Sequence, residues 1–177
     1  VLNAIAPDIE EIEKAVKRNL SPHLELVKLI AEHILFSGGK RLRPVLMLMG
    51  SRICGKDTPD LYDYSIIFEY LHSATLLHDD LVDNAALRRG SKAAHKVYGA
   101  AEAVLAGDFL LARSLSIASS LKDPEIVNEV AKITEDMSQG EIHQLINKGD
   151  FKTTESVYYD IIKRKTAVLI EGACRTG

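Results

Sequence analysis

Apolar residues return every three or four positions along almost the whole chain. Ile5, Ile9, Ile12 and Val16 step in this way and predict an amphipathic first helix. Leu24, Val27, Ile30, Ala31 and Ile34 mark a second, with Ser21 as its cap and Pro22 at its first position. Gly38-Gly39 breaks the pattern, and a helix restarts near Pro44 and runs to about Ile53. Asp60 through Asp83 has no internal Gly or Pro and reads as one long helix. Asn84 to Tyr98 is polar and reads as a loop with one short turn at most. Further helices are predicted over Ala100–Leu121, Glu125–Asn147 and from Glu155 to Arg175. Strand alternation is absent, so the expected class is all-α, an antiparallel bundle of six or seven helices in one domain over residues 1–177. The stripe Leu169, Ile170, Ala173 and Cys174 runs up to Gly177 with nothing after it to pack against. The bundle is therefore expected to be truncated, or completed by a partner chain.

Composition narrows the function classes. The 177 residues are 46% hydrophobic and 27% charged, with a net charge of −3. No global field steers such a chain toward nucleic acid, so anion binding must come from local clusters. Cys54 and Cys174 form no disulfide framework. Residues 1–20 lack the basic start and apolar stretch of a signal peptide, and no uninterrupted apolar run is long enough for a membrane span. The expectation is a cytoplasmic protein without a transmembrane segment.

The candidate chemistry is acidic first. In Leu71-His72-Ser73-Ala74-Thr75-Leu76-Leu77-His78-Asp79-Asp80-Leu81-Val82-Asp83, Asp79 and Asp83 lie four apart. On a helix that puts them on one face, about 6 Å apart along the axis. Two carboxylates at that spacing repel unless a cation or water separates them, and hard magnesium ions favour such oxygen donors. Asp80 points about 100° away and suits a supporting role. A solvated helix end is the bland alternative. His78-Asp79 also resembles ligands of a metal phosphohydrolase, with His33, His72 and His95 as loose further candidates.

Basic clusters accompany the acids. Gly38-Gly39-Lys40-Arg41-Leu42-Arg43-Pro44 sets cations behind a double glycine, where backbone can approach a ligand closely. A helix start at Pro44 would add its free N–H groups to an anion site. Arg88-Arg89 follows Asp83 by five residues, and paired guanidiniums suit phosphate. Lys163-Arg164-Lys165-Thr166 is a third cluster. Charged turns and solvated faces would explain each singly. Three cationic clusters and one acidic pair fit a site for two anionic phosphates.

Taken together, GGKRLRP at 38–44, LHSATLLHDDLVD at 71–83, LRRG at 87–90, LAGDFLLARS at 105–114, QGEIHQL at 139–145 and KRKTAVL at 163–169 closely resemble the trans-isoprenyl diphosphate synthase (polyprenyl synthetase) family. The resemblance implies the isoprenoid synthase helical fold and a Mg2+-dependent prenyltransferase joining isopentenyl diphosphate to an allylic diphosphate. It implies Asp79 and Asp83 as magnesium ligands within the motif Asp79-Asp80-x-x-Asp83. Lys40, Arg43, His72 and Arg89 are then the isopentenyl diphosphate contacts, and Arg88, Lys165 and Thr166 the allylic diphosphate contacts. Asp79, Asp80, Asp83, Arg88 and Lys165 form the expected reacting set. Small Ala74 and Thr75, five and four residues before Asp79, imply a long-chain product, with Phe109 or Met137 as a deeper floor. A homodimer is also implied.

One departure stands out. The family carries a second aspartate-rich motif in its C-terminal half, and none occurs here. The chain matches about the first half of a family member. Alternatives are a non-catalytic subunit needing a partner chain, a short-chain geranylgeranyl or farnesyl synthase, and a terpene cyclase, which the Lys40/Arg43 pair disfavours.

Overall fold

A computed structural model describes residues 5–177. The expected domain starts at residue 1, and positions 1–4 lie outside the described residues. The class is all-α, as expected. The elements are α1 (Ala6–Asn19), α2 (Glu25–Leu35), α3 (Leu42–Ile53), α4 (Leu61–Val82), β1 (Leu87–Arg88), β2 (Ser91–Lys92), α5 (Ala94–Tyr98), α6 (Ala100–Ser120), α7 (Pro124–Asn147), α8 (Glu155–Ile162) and α9 (Val168–Thr176). A π-helical turn, Lys163–Ala167, joins α8 to α9.

Helix α4 is the centre of the bundle. It packs on α1, α2, α3, α6 and α9. Ile66, Ile67, Phe68, Tyr70, Leu71, Ala74 and Leu77 are all buried, which is why its sequence shows apolar residues on more than one side. The buried hydroxyl of Tyr70 donates to the carbonyl of Val16 at 2.7 Å, tying α4 to α1. Helix α6 lies against α4 and buries Leu110 and Ile117 together with Ala103, Ala106, Gly107, Ser114 and Ala118, small residues that permit close approach. It is also the one described helix long and apolar enough to cross a membrane by length and composition. The sequence reading found no such run. One side of it packs on α4, and 39% of its most apolar stretch is buried.

Three segments differ from expectation. Helix α2 starts at Glu25, not at Pro22, because the chain stays extended at Leu24 and no side chain caps it. Only Ile30, Ala31, Ile34 and Leu35 of α2 are buried, so packing anchors the second half of the predicted stripe. Helix α3 begins at Leu42, two residues before Pro44, from a left-handed Arg41 with φ 48°. The 84–98 segment holds a hairpin and α5. Arg89 and Gly90, with φ 51° and 84°, form its two-residue turn between Leu87-Arg88 and Ser91-Lys92. Two-residue strands carry no alternation to read. The starts of α7 and α8 follow the sequence: Asp123 accepts from the Glu125 amide at 2.9 Å, and Thr154 from Val157 at 3.3 Å.

Arg41 holds the 38–44 turn in place. Its guanidinium, 3% exposed, donates to Glu13, Glu69 and the Leu35 carbonyl, each at 2.6 Å. Substitution Arg41→Met leaves Glu69 and the Leu35 carbonyl buried without a donor. The expected loss is about 3 kcal/mol or more of unfolding free energy in a urea titration. A loss under about 0.5 kcal/mol would show that the turn stands without it.

Candidate active site

One polar strip of α4 faces a cavity of about 560 Å³ between α4, α7 and the π turn. His72, Thr75, Asp79 and Asp83 line it from α4. Their spacings of three, four and four residues are those of one helical face. Arg43 enters from α3, Arg88 from the hairpin, Glu141 from α7, and Lys165 and Thr166 from the π turn. Leu76, Val82, Met137, Ile142 and Leu145 supply the apolar wall. Segments that are scattered in sequence are thus brought to one place.

The acidic side is crowded. Burial pushes the Asp79 carboxyl up to about 6; Glu141 and Asp83 add to the rise, while Lys165 and Arg88 oppose it. Asp83 caps α4 and accepts from Lys148 at 3.1 Å. Glu141 pairs with Lys165 through one oxygen, and its other oxygen is buried without a partner. These groups carry oxygen donors only, which suits a hard divalent cation. Among the described residues no three His, Cys, Asp or Glu side chains converge as a metal set. A cation at this point would take Asp79 and Asp83 as its protein ligands and draw the rest from water and a bound anion.

The basic side is equally strained by like charge. Burial lowers the Arg43 guanidinium below its ordinary value and Arg89 adds to this, against the pull of Glu69. The Nε of Arg43 is buried without an acceptor. Burial takes the His72 imidazole down to about 3, with Arg43, Arg89, Arg88 and Arg41 pushing the same way. His72 is therefore neutral at physiological pH. An arriving anion would relieve every one of these costs.

The hairpin sorts its two arginines. Asp80, 1% exposed, lies behind the cavity wall and holds Arg88, whose Nε donates to its two oxygens at 2.9 and 3.1 Å. Asp80 was expected among the reacting groups; its place is that of a support for Arg88. Arg89 leaves on the other side of the turn and covers Gly39. A Cβ on Gly39 would lie 2.9 Å from the Arg89 Nη1. Lys40 and Arg89 are exposed and are not among the residues that line the cavity. Ala74, 2% exposed, faces the core, whereas Thr75 lines the cavity. Met137 lines it as well, and Phe109 packs against the core instead.

Two residues escaped the sequence reading. Glu141 has a signal: it is the one acid on a face of α7 otherwise built from Met137, Ser138, Ile142 and Leu145. Lys148, at the end of α7, reaches Asp83 across 65 positions of sequence and has none.

A helical bundle with paired aspartates facing arginines and lysines across one cavity defines a class of site built for a cation and a polyanion together. The comparisons with known proteins give the family. The polyprenyl synthetase model matches residues 24–177, and the chain belongs to that family. Octaprenyl diphosphate synthase of Haemophilus influenzae is 33% identical over 94% of this chain and 51% of its own. Heptaprenyl diphosphate synthase component 2 of Geobacillus stearothermophilus is 36% identical over 95% of this chain and 51% of its own. The crystal structure of a polyprenyl synthase from Caulobacter crescentus, complexed with calcium and isoprenyl diphosphate, superposes with a TM-score of 0.93 at 32% identity. That match covers 99% of this chain and 53% of the other. The chain spans about half the length of the relatives it matches.

The Asp79 environment makes a prediction about stability. Its folded-state value of about 6 lies above the usual aspartate value of about 3.9. Between those values the folded chain holds more protons than the unfolded chain, so Asp79 lowers stability as pH rises through this window, and the penalty persists above it. Without divalent metal, Asp79→Asn should be more stable than wild type at neutral pH, by about 1–2 kcal/mol after solvent screening. The gap should close near pH 4. Denaturant titrations at the two pH values measure it, and a wild type that is the more stable at neutral pH overturns the reading.

Proposed function

We propose that this chain carries the diphosphate and metal half of a trans-polyprenyl diphosphate synthase site. The reaction joins isopentenyl diphosphate to an allylic diphosphate. The observation that carries this reading is the cavity itself, where Asp79 and Asp83 face Arg88 and Lys165 while Arg43 and His72 sit at its basic end. Family membership and relatives named as octaprenyl and heptaprenyl synthases support it.

Asp79 and Asp83 would hold Mg2+ at the allylic diphosphate, and the Caulobacter relative with calcium and isoprenyl diphosphate is consistent with a divalent ion there. When bound, the ion supplies Lewis-acid charge to the leaving oxygen. Arg88, fixed by Asp80, and Lys165 stabilise the pyrophosphate as the allylic C–O bond breaks. Thr166 lies beside them and offers a hydroxyl to the same anion. Arg43, His72, Arg89 and Lys40 seat isopentenyl diphosphate, whose double bond then attacks the allylic carbon. A neutral His72 can donate to a phosphate oxygen without adding a fifth charge to the four surrounding guanidiniums. The proton released on closing the new double bond goes to the departing pyrophosphate. Leu76 and Met137 give the cavity an apolar lining that offers no nucleophile to the developing cation.

The growing tail passes Thr75, one turn from Asp79, toward Met137. A side chain as small as threonine leaves this path open, which supports a long-chain product over a farnesyl- or geranylgeranyl-length one. A second reading places the chain as one component of a two-chain enzyme. The relative named heptaprenyl synthase component 2 favours it.

Two outcomes test the reading. Titration calorimetry should show inorganic pyrophosphate binding to the chain only with Mg2+, and Asp83→Ala should weaken it tenfold or more. Equal binding with and without the ion would sink the assignment. In an assembly that turns over, Thr75→Phe should shorten the polyprenyl product seen by chromatography. Ala74→Tyr should instead cost about 1–3 kcal/mol of stability by overfilling the core. Unchanged product length in Thr75→Phe removes the chain-length argument.

A further inference from the structure

The π turn is held by contacts that the reaction does not use. A π turn inserts one residue into a helix, so the faces before and after it are rotated by about 100° relative to unbroken α-helix. Here α8 buries no residue, whereas α9 buries Leu169, Gly172 and Ala173. Between them, the turn divides its side chains between the cavity and the far side. Lys165 and Thr166 face the cavity. Arg164 faces away and spans two helices: its Nη1 donates to Asp136 of α7 at 2.5 Å, and its Nε to the two oxygens of Asp160 of α8 at 3.1 and 3.2 Å. His143 of α7 meets the same Asp160 at 3.1 Å.

Backbone contact reinforces this clamp. At Gly140 a Cβ would lie 2.7 Å from the Arg164 Cβ and 2.8 Å from the Lys165 backbone nitrogen. Only glycine lets α7 approach the turn so closely. The next residue, Glu141, takes the Lys165 ammonium. The Arg164 fork is about one-third exposed, and pairs of that kind add little to stability. What a planar guanidinium between two fixed carboxylates supplies is orientation.

We propose that Arg164, clamped by Asp136 and Asp160 across the Gly140 contact, is a positioning residue that sets the aim of Lys165 into the cavity. The inference rests on the reading that the cavity takes a diphosphate. Arg164 does not touch the ligand. It fixes the register of the turn, so that the Lys165 ammonium stands where Glu141 and an incoming diphosphate share it. Without the clamp, an α-helical or frayed 163–167 segment would turn Lys165 off the cavity axis. Asp136, Asp160 and Gly140 then matter to anion binding although none of them lines the cavity.

The test is a double-mutant cycle on the chain itself, read by calorimetric titration with Mg2+ and inorganic pyrophosphate. Arg164→Gln is expected to weaken pyrophosphate binding about tenfold, a size typical of lost outer support for a binding group. In a Lys165→Ala background the same substitution should cost nothing further. Arg164→Lys, which keeps charge but loses the fork, should fall between wild type and Arg164→Gln. Equal losses in both backgrounds would mean a general effect on the fold and would overturn the proposal. So would unchanged affinity in Arg164→Gln when Lys165→Ala does weaken binding, and in that case the diphosphate reading survives. If the wild-type chain binds no pyrophosphate with Mg2+, the diphosphate reading fails and this inference fails with it. Should Arg164→Gln unfold by circular dichroism, Asp136→Asn replaces it in the same cycle under the same criteria.

Discussion

One helix buried on most sides turns a polar strip toward a cavity, and the segments around it bring cations to that strip. Helix α4 gives its apolar faces to α1, α3, α6 and α9 and its remaining face, His72 to Asp83, to the cavity. The cost is visible in the proton affinities. Asp79 is pushed up and His72 down, both first of all by burial. Neither shift helps the fold. Both mark ionisable groups held in a partly desolvated cleft, a pattern common at binding and catalytic sites.

Arginine does four different jobs here, and its partner decides which. Arg41 is saturated by Glu13, Glu69 and a carbonyl and is a structural strut. Arg88 is held by buried Asp80 yet keeps one side in the cavity. Arg43 is half-buried with an unsatisfied Nε, so it alone waits for an acceptor. Arg164 is forked between carboxylates behind the wall. A guanidinium stays charged in all four settings, and only the count of acceptors already satisfied separates strut from ligand.

That distinction explains what could be read from the sequence. The long α4 and the Asp79/Asp83 pair were legible because helical period and a four-residue spacing are local facts. The convergence of Arg43, Arg88 and Lys165 was legible only through resemblance, since no local rule links those segments. Lys40 and Arg43 read as the pair that converges on a diphosphate, and the strut made by Arg41 between them was not visible, because burial and partners are tertiary. The same blindness put Ala74 and Thr75 together: adjacent residues on a helix point about 100° apart, and only packing shows which of them meets the cavity. The hairpin and the π turn were missed for a further reason. Two-residue strands and a one-residue insertion leave no periodic trace, yet both set where cations point.

On the proposed reading, placing the metal ligands and the tail path on one rigid helix has a mechanical consequence. Asp79 fixes where the allylic carbon ionises, and each turn down α4 lies about 5.4 Å further along the path of the tail. Position along the helix is then a measure of product length. Two turns beyond Thr75, the fully buried Phe68 and Ile133 of α7 both border Gly172 of α9, where a methyl group on the glycine would collide with Ile133. These side chains belong to the hydrophobic core of the bundle. A floor made of core residues can be lowered only by removing core volume, so product length and stability are coupled through these side chains. Thr75, on the open part of the strip, is free of that coupling, because its side chain meets the cavity before it meets the core.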